Sequence, residues 1–87
     1  MFTKAFAEEL APYKINVNAI SPGYMATPLV QDRLTDPEVL KTILYFTPLK
    51  KVGEAKDIVG LTAFLASEAS DFITGQNIFA DGGRSIL

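Results

Sequence analysis

The chain has 87 residues, a formal charge of −2, no histidine and no cysteine, and 48% of its residues are hydrophobic. That hydrophobic share excludes long disorder, and the missing residue types exclude a cysteine protease, a Ser-His triad, a thiol redox pair and a conventional zinc site. The acidic balance argues against a nucleic-acid partner, whose phosphates require clustered Lys and Arg, whereas Lys50-Lys51 is the sole basic pair.

Phe2, Phe6 and Leu10 recur every fourth residue beside Glu8 and Glu9, which predicts an amphipathic helix beginning at or before Met1 and ending near Pro12. Residues 15–20 are dense in β-branched side chains and read as a strand that stops at Ser21-Pro22-Gly23. Thr35-Asp36-Pro37-Glu38 is a helix start: Thr35 or Asp36 caps, Pro37 suits the first turn, and Glu38 favours the positive end. The helix beyond it carries Val39, Leu40, Ile43, Leu44 and Phe46 and ends at Thr47-Pro48. Gly53 is expected to open a third helix with Ile58, Leu61, Thr62 and Leu65 on one face. Residues 70–75 read as a loop, and Asn77-Ile78-Phe79-Ala80 as a short strand closed by Asp81-Gly82-Gly83.

The resulting order, α-β-α-α-β, predicts parallel strands joined by helical crossovers. Two parallel strands alone make a poor sheet, because both faces and both edges need cover, so the architecture is expected to be incomplete. The uncharged stretch 15–31 contains Asn16, Asn18, Pro22, Gly23 and Pro28, which argues against a membrane partner. No basic region followed by an apolar one opens the chain, and a cytoplasmic location is expected.

Three segments in this order resemble the short-chain dehydrogenase/reductase family. They are Glu9 through Gly23 running on to Thr27 with a Pro-Gly-x-x-x-Thr loop, Gly53 through Phe64-Leu65-Ala66-Ser67, and Ile73-Thr74-Gly75-Gln76 through Asp81-Gly82-Gly83. The resemblance implies that residues 1–87 are the C-terminal segment of one Rossmann-like domain with a doubly wound parallel sheet. Residues 28–52 would then be its substrate lid. It further implies that Pro22, Gly23, Met25 and Thr27 bind the nicotinamide end of NAD or NADP, with Pro22 against the ring, the Met25 backbone at the carboxamide and the Thr27 hydroxyl donating. Tyr24 and Met25 would line the pocket of a small alcohol or carbonyl substrate. Sugar-acid dehydrogenases and 3-oxoacyl carrier-protein reductases are comparably similar, and the family's interfaces imply a homo-oligomer. Taken alone, Ser21-Pro22-Gly23 reads as a turn rather than a cofactor loop, and Thr27 as a helix cap before Pro28. Asn18 is expected to be a structural amide and Asp81 to shape the Gly82-Gly83 turn. Lys14 and Lys50 stand where the family often has Gly or Asn and Gly, respectively.

The family's proton relay is a Tyr-x-x-x-Lys pair. Tyr13, Tyr24 and Tyr45 are followed four residues later by Val17, Pro28 and Leu49, so no catalytic residue is assigned in this chain. A Gly-rich phosphate turn is absent as well. The resemblance places the pair upstream of Met1, and the chain alone is expected to be inactive. The competing reading is a non-catalytic module that self-associates.

Overall fold

The structure, a computed structural model, describes residues 2–86, so the expected helix start at or before Met1 lies outside the described residues. Helix α1 spans Phe2–Leu10 and tightens into a 3-10 turn over Ala11–Tyr13, where Pro12 cannot continue the α-helical bonding. Lys14 closes it in the left-handed conformation, φ 60°, with its N–H donating to the Ala11 carbonyl at 2.9 Å. Glycine or asparagine would hold that conformation at less steric cost than lysine. The expected apolar stripe of α1 is not covered: Phe2 and Phe6 stack at 6.2 Å yet remain 83% and 49% exposed.

The chain then runs extended, but regular ladder bonding begins only at β1, Ala19–Pro22, not at residue 15 as expected. Before that point the opposing segment, 71–76, is irregular and turns through Gly75 at φ 75°. Side chains therefore replace the missing ladder. Asn16 Nδ2 donates to the Asp71 carbonyl at 3.1 Å, and the Val17 N–H donates to Thr74 Oγ1 at 3.0 Å. Asn18 works in both directions: its Nδ2 donates to the Ile73 carbonyl at 3.0 Å and its Oδ1 accepts the Gln76 N–H at 3.1 Å. This half-buried residue is the structural amide expected from the sequence.

From Ala19 onward β1 pairs in parallel with β2, Asn77–Ala80, in the register Ala19↔Asn77 to Pro22↔Ala80. Between the strands lie α2 (Gln31–Leu34), α3 (Pro37–Tyr45) and α4 (Lys56–Leu65), so the predicted order gains one short helix. Asp36 caps α3 as read from the sequence, its Oδ1 accepting the Glu38 N–H at 2.9 Å, with Pro37 in the first turn. Gly53 does not open α4; it sits in a backbone bridge to Met25, and the helix begins at Lys56. Ser70, expected in a loop, ends a 3-10 turn over Glu68–Ser70 and is buried, its hydroxyl donating to the Leu65 and Ser67 carbonyls.

Only one hydrophobic residue, Ala7, is buried among those described. The radius of gyration is 15.7 Å where a compact chain of this length has about 12 Å. The accessible surface, 6702 Å², exceeds the roughly 5,000 Å² of a compact monomer of this mass. No helix among the described residues is long and apolar enough to cross a membrane.

Asn18→Ala deletes two of the hydrogen bonds that hold the strand entrance. It should destabilise the folded chain by about 1–3 kcal/mol, the cost of leaving the Ile73 and Gln76 backbone groups without their partner. Urea denaturation checks this, and an unchanged midpoint would show that water substitutes freely for the amide.

Candidate functional site

Parallel pairing brings the exits of β1 and β2 together at one end of the sheet, the end where ligands bind in open α/β folds. At Gly23 the two exits nearly touch: a Cβ built there would lie 2.9 Å from Asp81 Cα and Cβ. The glycine is therefore required by the backbone of the neighbouring strand exit, a reason that the turn reading of Ser-Pro-Gly does not contain.

Asp81 organises the other exit. Its Oδ1 accepts the Gly83 N–H at 3.0 Å and its Oδ2 the Ser85 N–H at 2.9 Å, while Gly82 and Gly83 adopt φ of 65° and 94°. Partial burial pushes the Asp81 carboxyl up, but the Gly83 amide and the Ser85 hydroxyl and amide together hold it below the usual carboxylate range. The expectation that Asp81 shapes this turn is met. The turn also fastens the end of the helical excursion, because the Leu49 N–H donates to the Gly82 carbonyl at 2.9 Å.

Residues 24–26 are held from the opposite side by Gly53. The Gly53 N–H donates to the Tyr24 carbonyl and the Ala26 N–H to the Gly53 carbonyl, both at 2.8 Å. A Cβ on Gly53 would lie 2.5 Å from the Met25 sulfur, so the position admits no side chain without displacement of Met25. In such a parallel bridge the N–H and carbonyl of the central residue point away from the partner strand. Met25 therefore aims its N–H away from Gly53, and that N–H has no acceptor among the described residues. Thr27 is exposed, and its hydroxyl also forms no hydrogen bond among the described residues. It does not cap the next helix, since the N-cap of α2 is Val30.

Gly23, Tyr24, Met25 and Thr27 form one wall of a cleft of about 710 Å³. The facing wall comes from the helical excursion, with Val30, Leu34, Val39, Thr42 and Ile43 supplying mostly apolar surface and Arg33 and Glu38 supplying charge. Pro22 does not line it; as the last residue of β1 it is exposed and pairs with Ala80. The Tyr24 ring is fixed from outside by Arg84, whose guanidinium lies 4.7 Å from the ring centroid and whose Nη2 donates to the tyrosine hydroxyl at 3.1 Å. Sequence reasoning misses Arg84, Arg33 and Glu38. The Arg84 contact spans 60 residues and leaves no local signal. Glu38 reads only as a helix-start charge, and nothing in its neighbourhood distinguishes Arg33.

The two lysines of the basic pair have distinct tasks. Lys50 adopts φ 56° and its Nζ donates to the Leu44 and Tyr45 carbonyls at 3.1 and 3.4 Å, capping α3. Lys51 pairs with Asp57 at 3.3 Å. Asp57 also accepts the Glu54 N–H at 2.8 Å, and that bond together with the Lys51 ammonium holds its carboxyl low.

Both aspartates have a folded-state pKa below the ordinary value of about 3.9, so the stability they contribute is present above that pH. It is lost as pH falls through their lower folded values. Denaturation midpoints measured from pH 7 down to pH 3 should fall in acid, and Asp81→Asn should flatten that fall; an unchanged slope would contradict the assignment. Independently, Gly23→Ala should destabilise by about 1–3 kcal/mol through overpacking against Asp81, whereas a wild-type midpoint would mean that the strand exits separate at little cost.

The family profile described as enoyl-(acyl carrier protein) reductase matches residues 1–85. The chain is 46% identical over 81 residues to the 2-dehydro-3-deoxy-D-gluconate 5-dehydrogenase of Dickeya dadantii, covering 93% of this chain and 32% of that protein. It superposes on a 4-hydroxyisoleucine dehydrogenase complexed with NADH with a TM-score of 0.95 at 34% identity, covering 99% of this chain and 35% of that one. An Agrobacterium tumefaciens protein proposed to be a 2-deoxy-D-gluconate 3-dehydrogenase, solved with bound NADP, gives a TM-score of 0.94 at 38% identity, again over 99% of this chain and 35% of the other. The chain spans about a third of the length of the curated relatives it matches. The strand–loop–helix arrangement around Gly23, the Asp81 turn and these matches over nearly every residue lead to one conclusion: the chain belongs to the short-chain dehydrogenase/reductase family.

Proposed function

We propose that this chain forms the nicotinamide side and the substrate lid of an NAD(P)-dependent oxidoreductase that interconverts a small alcohol and its carbonyl, and that it does not turn over alone. The observation that carries the reading is that Met25 and Thr27, both in the cleft lining, keep an N–H and a hydroxyl without a partner among the described residues. Donors at the carboxyl end of a parallel sheet suit a carboxamide or phosphate oxygen. The donor chemistry fits the cofactor that the family implies.

In this reading a nicotinamide bound there supplies or accepts the hydride. Met25 and Thr27 hold its polar edge, Pro22 and Gly23 set the path of the backbone beneath it, and Tyr24 bounds the substrate side. Residues 28–52 act as the lid, their apolar wall excluding water from the reacting carbon. No tyrosine here has a lysine four residues on, so the proton relay has to come from outside these residues. The exposed faces of Phe2, Phe6 and Phe79 support a second proposal, that the chain is covered by further protein or by copies of itself. Phe79→Asp is expected to shift any such assembly toward smaller species.

The purified 87-residue chain should show no turnover of NADH or NADPH with carbonyl substrates. Joined to a family amino-terminal segment carrying the Tyr-x-x-x-Lys pair and the Gly-rich turn, it should bind cofactor. Thr27→Val should then weaken that binding by about 0.5–1.5 kcal/mol in a fluorescence titration. Equal affinity in wild type and variant would reduce the loop to a turn.

A further inference from the structure

We infer that Arg33 is an anion-recognition residue of the 710 Å³ cleft, and that the ligand this wall selects is a small acid carrying hydroxyl groups, with or without a keto group, beside its carboxylate. The inference rests on the proposed reading of the cleft as the substrate site. The cleft contains two charged side chains, Arg33 from α2 and Glu38 from the first turn of α3, and neither takes part in an ion pair among the described residues. Of the lysines of this region, Lys50 caps α3, Lys51 holds Asp57, and Lys41 of α3 does not line the cleft.

Chemistry restricts what can satisfy this wall. A guanidinium presents a planar fork of donors that matches a carboxylate in two parallel bonds. A fatty acyl chain offers neither charge an opposite charge or a hydrogen bond. A neutral polyol would satisfy Glu38, which only accepts, but would leave the positive charge of Arg33 unmatched. A hydroxy acid, or a keto acid that also carries a hydroxyl, satisfies both: its carboxylate sits at Arg33, and its hydroxyl hydrogens donate to Glu38. Glu38 also repels the carboxylate from its own end, so the two charges fix the direction in which the acid lies along the cleft.

The test is a binding measurement on the chain itself, followed by NMR of the labelled protein. The probes are D-gluconate, its neutral polyol counterpart D-glucitol, and nicotinamide mononucleotide as a source of cofactor phosphate. D-gluconate should bind saturably, perturb the Arg33 side-chain signal and bind at least tenfold tighter than D-glucitol. Arg33→Met should abolish that preference and leave nicotinamide mononucleotide unaffected, while Arg33→Lys should restore part of it. The side chain of Arg33 is exposed on a short helix, so an unchanged unfolding midpoint verifies that both variants fold. Equal binding of acid and polyol, binding of neither, retention of the preference in Arg33→Met, or loss of only the mononucleotide would each overturn the inference. Failure of the completed enzyme to transfer hydride with these responses intact would defeat the oxidoreductase reading and leave this one standing.

Discussion

Parallel pairing of β1 with β2 is the constraint on which the rest of the molecule depends, because it joins segments nearly sixty residues apart and sets two chain exits side by side. The closeness of those exits is possible only with no side chain at Gly23, since the backbone of Asp81 occupies the space. Once they meet, each exit organises the chain beyond it. Asp81 folds its own turn through the Gly83 and Ser85 amides, and that turn receives Leu49. The loop after Gly23 is clamped to Gly53, which turns the Met25 N–H outward. The helical excursion is thus tied down at Ala26–Gly53 and at Leu49–Gly82, and a cleft opens beneath it between those ties.

Burial tells a different story from hydrogen bonding. The backbone is well connected, yet Phe72, Leu29, Phe2 and Ile86 are each at least 80% exposed. Every such side chain forgoes roughly 1.5–3 kcal/mol that full burial would contribute; the chain has no cysteine for a disulfide, and the described residues include no side-chain group that could hold a metal, to offset the loss. Hydrogen bonds specify this arrangement without supplying the apolar burial that ordinarily stabilises a domain. Elongation and a single buried hydrophobic residue among those described express the same fact. The proposal that further protein covers these faces grows from that imbalance.

The features legible in the sequence are local ones. The Asp36-Pro37 helix start, the role of Asp81 in the Gly82-Gly83 turn and the final strand all arise from short-range chemistry that tertiary contacts leave unchanged. Errors arise where a distant partner decides. Residues 15–18 have strand composition, but the opposing chain there is a loop, so Asn16 and Asn18 side chains take the place of the ladder. Gly53 resembles the start of a helix because helix-forming residues come after it, whereas its lack of a side chain answers to Met25 across the bridge. Phe2, Phe6 and Leu10 have the periodicity of a buried face, and no described element reaches the two phenylalanines to bury them. Gly23, Tyr24, Met25 and Thr27 share the lining of one cleft, while Pro22 stands outside it. Arg33 and Arg84 find their places only once the chain has folded back on itself.

The central claim is that residues 23–27 receive the nicotinamide. Proton–proton NMR transfer between the cofactor and the completed, isotope-labelled enzyme tests it most directly, because it reports proximity without requiring turnover. The account predicts contacts from the nicotinamide and carboxamide protons to the Met25 amide and the Thr27 side chain. Contacts confined to other parts of the protein, with those of residues 23–27 absent, would contradict it.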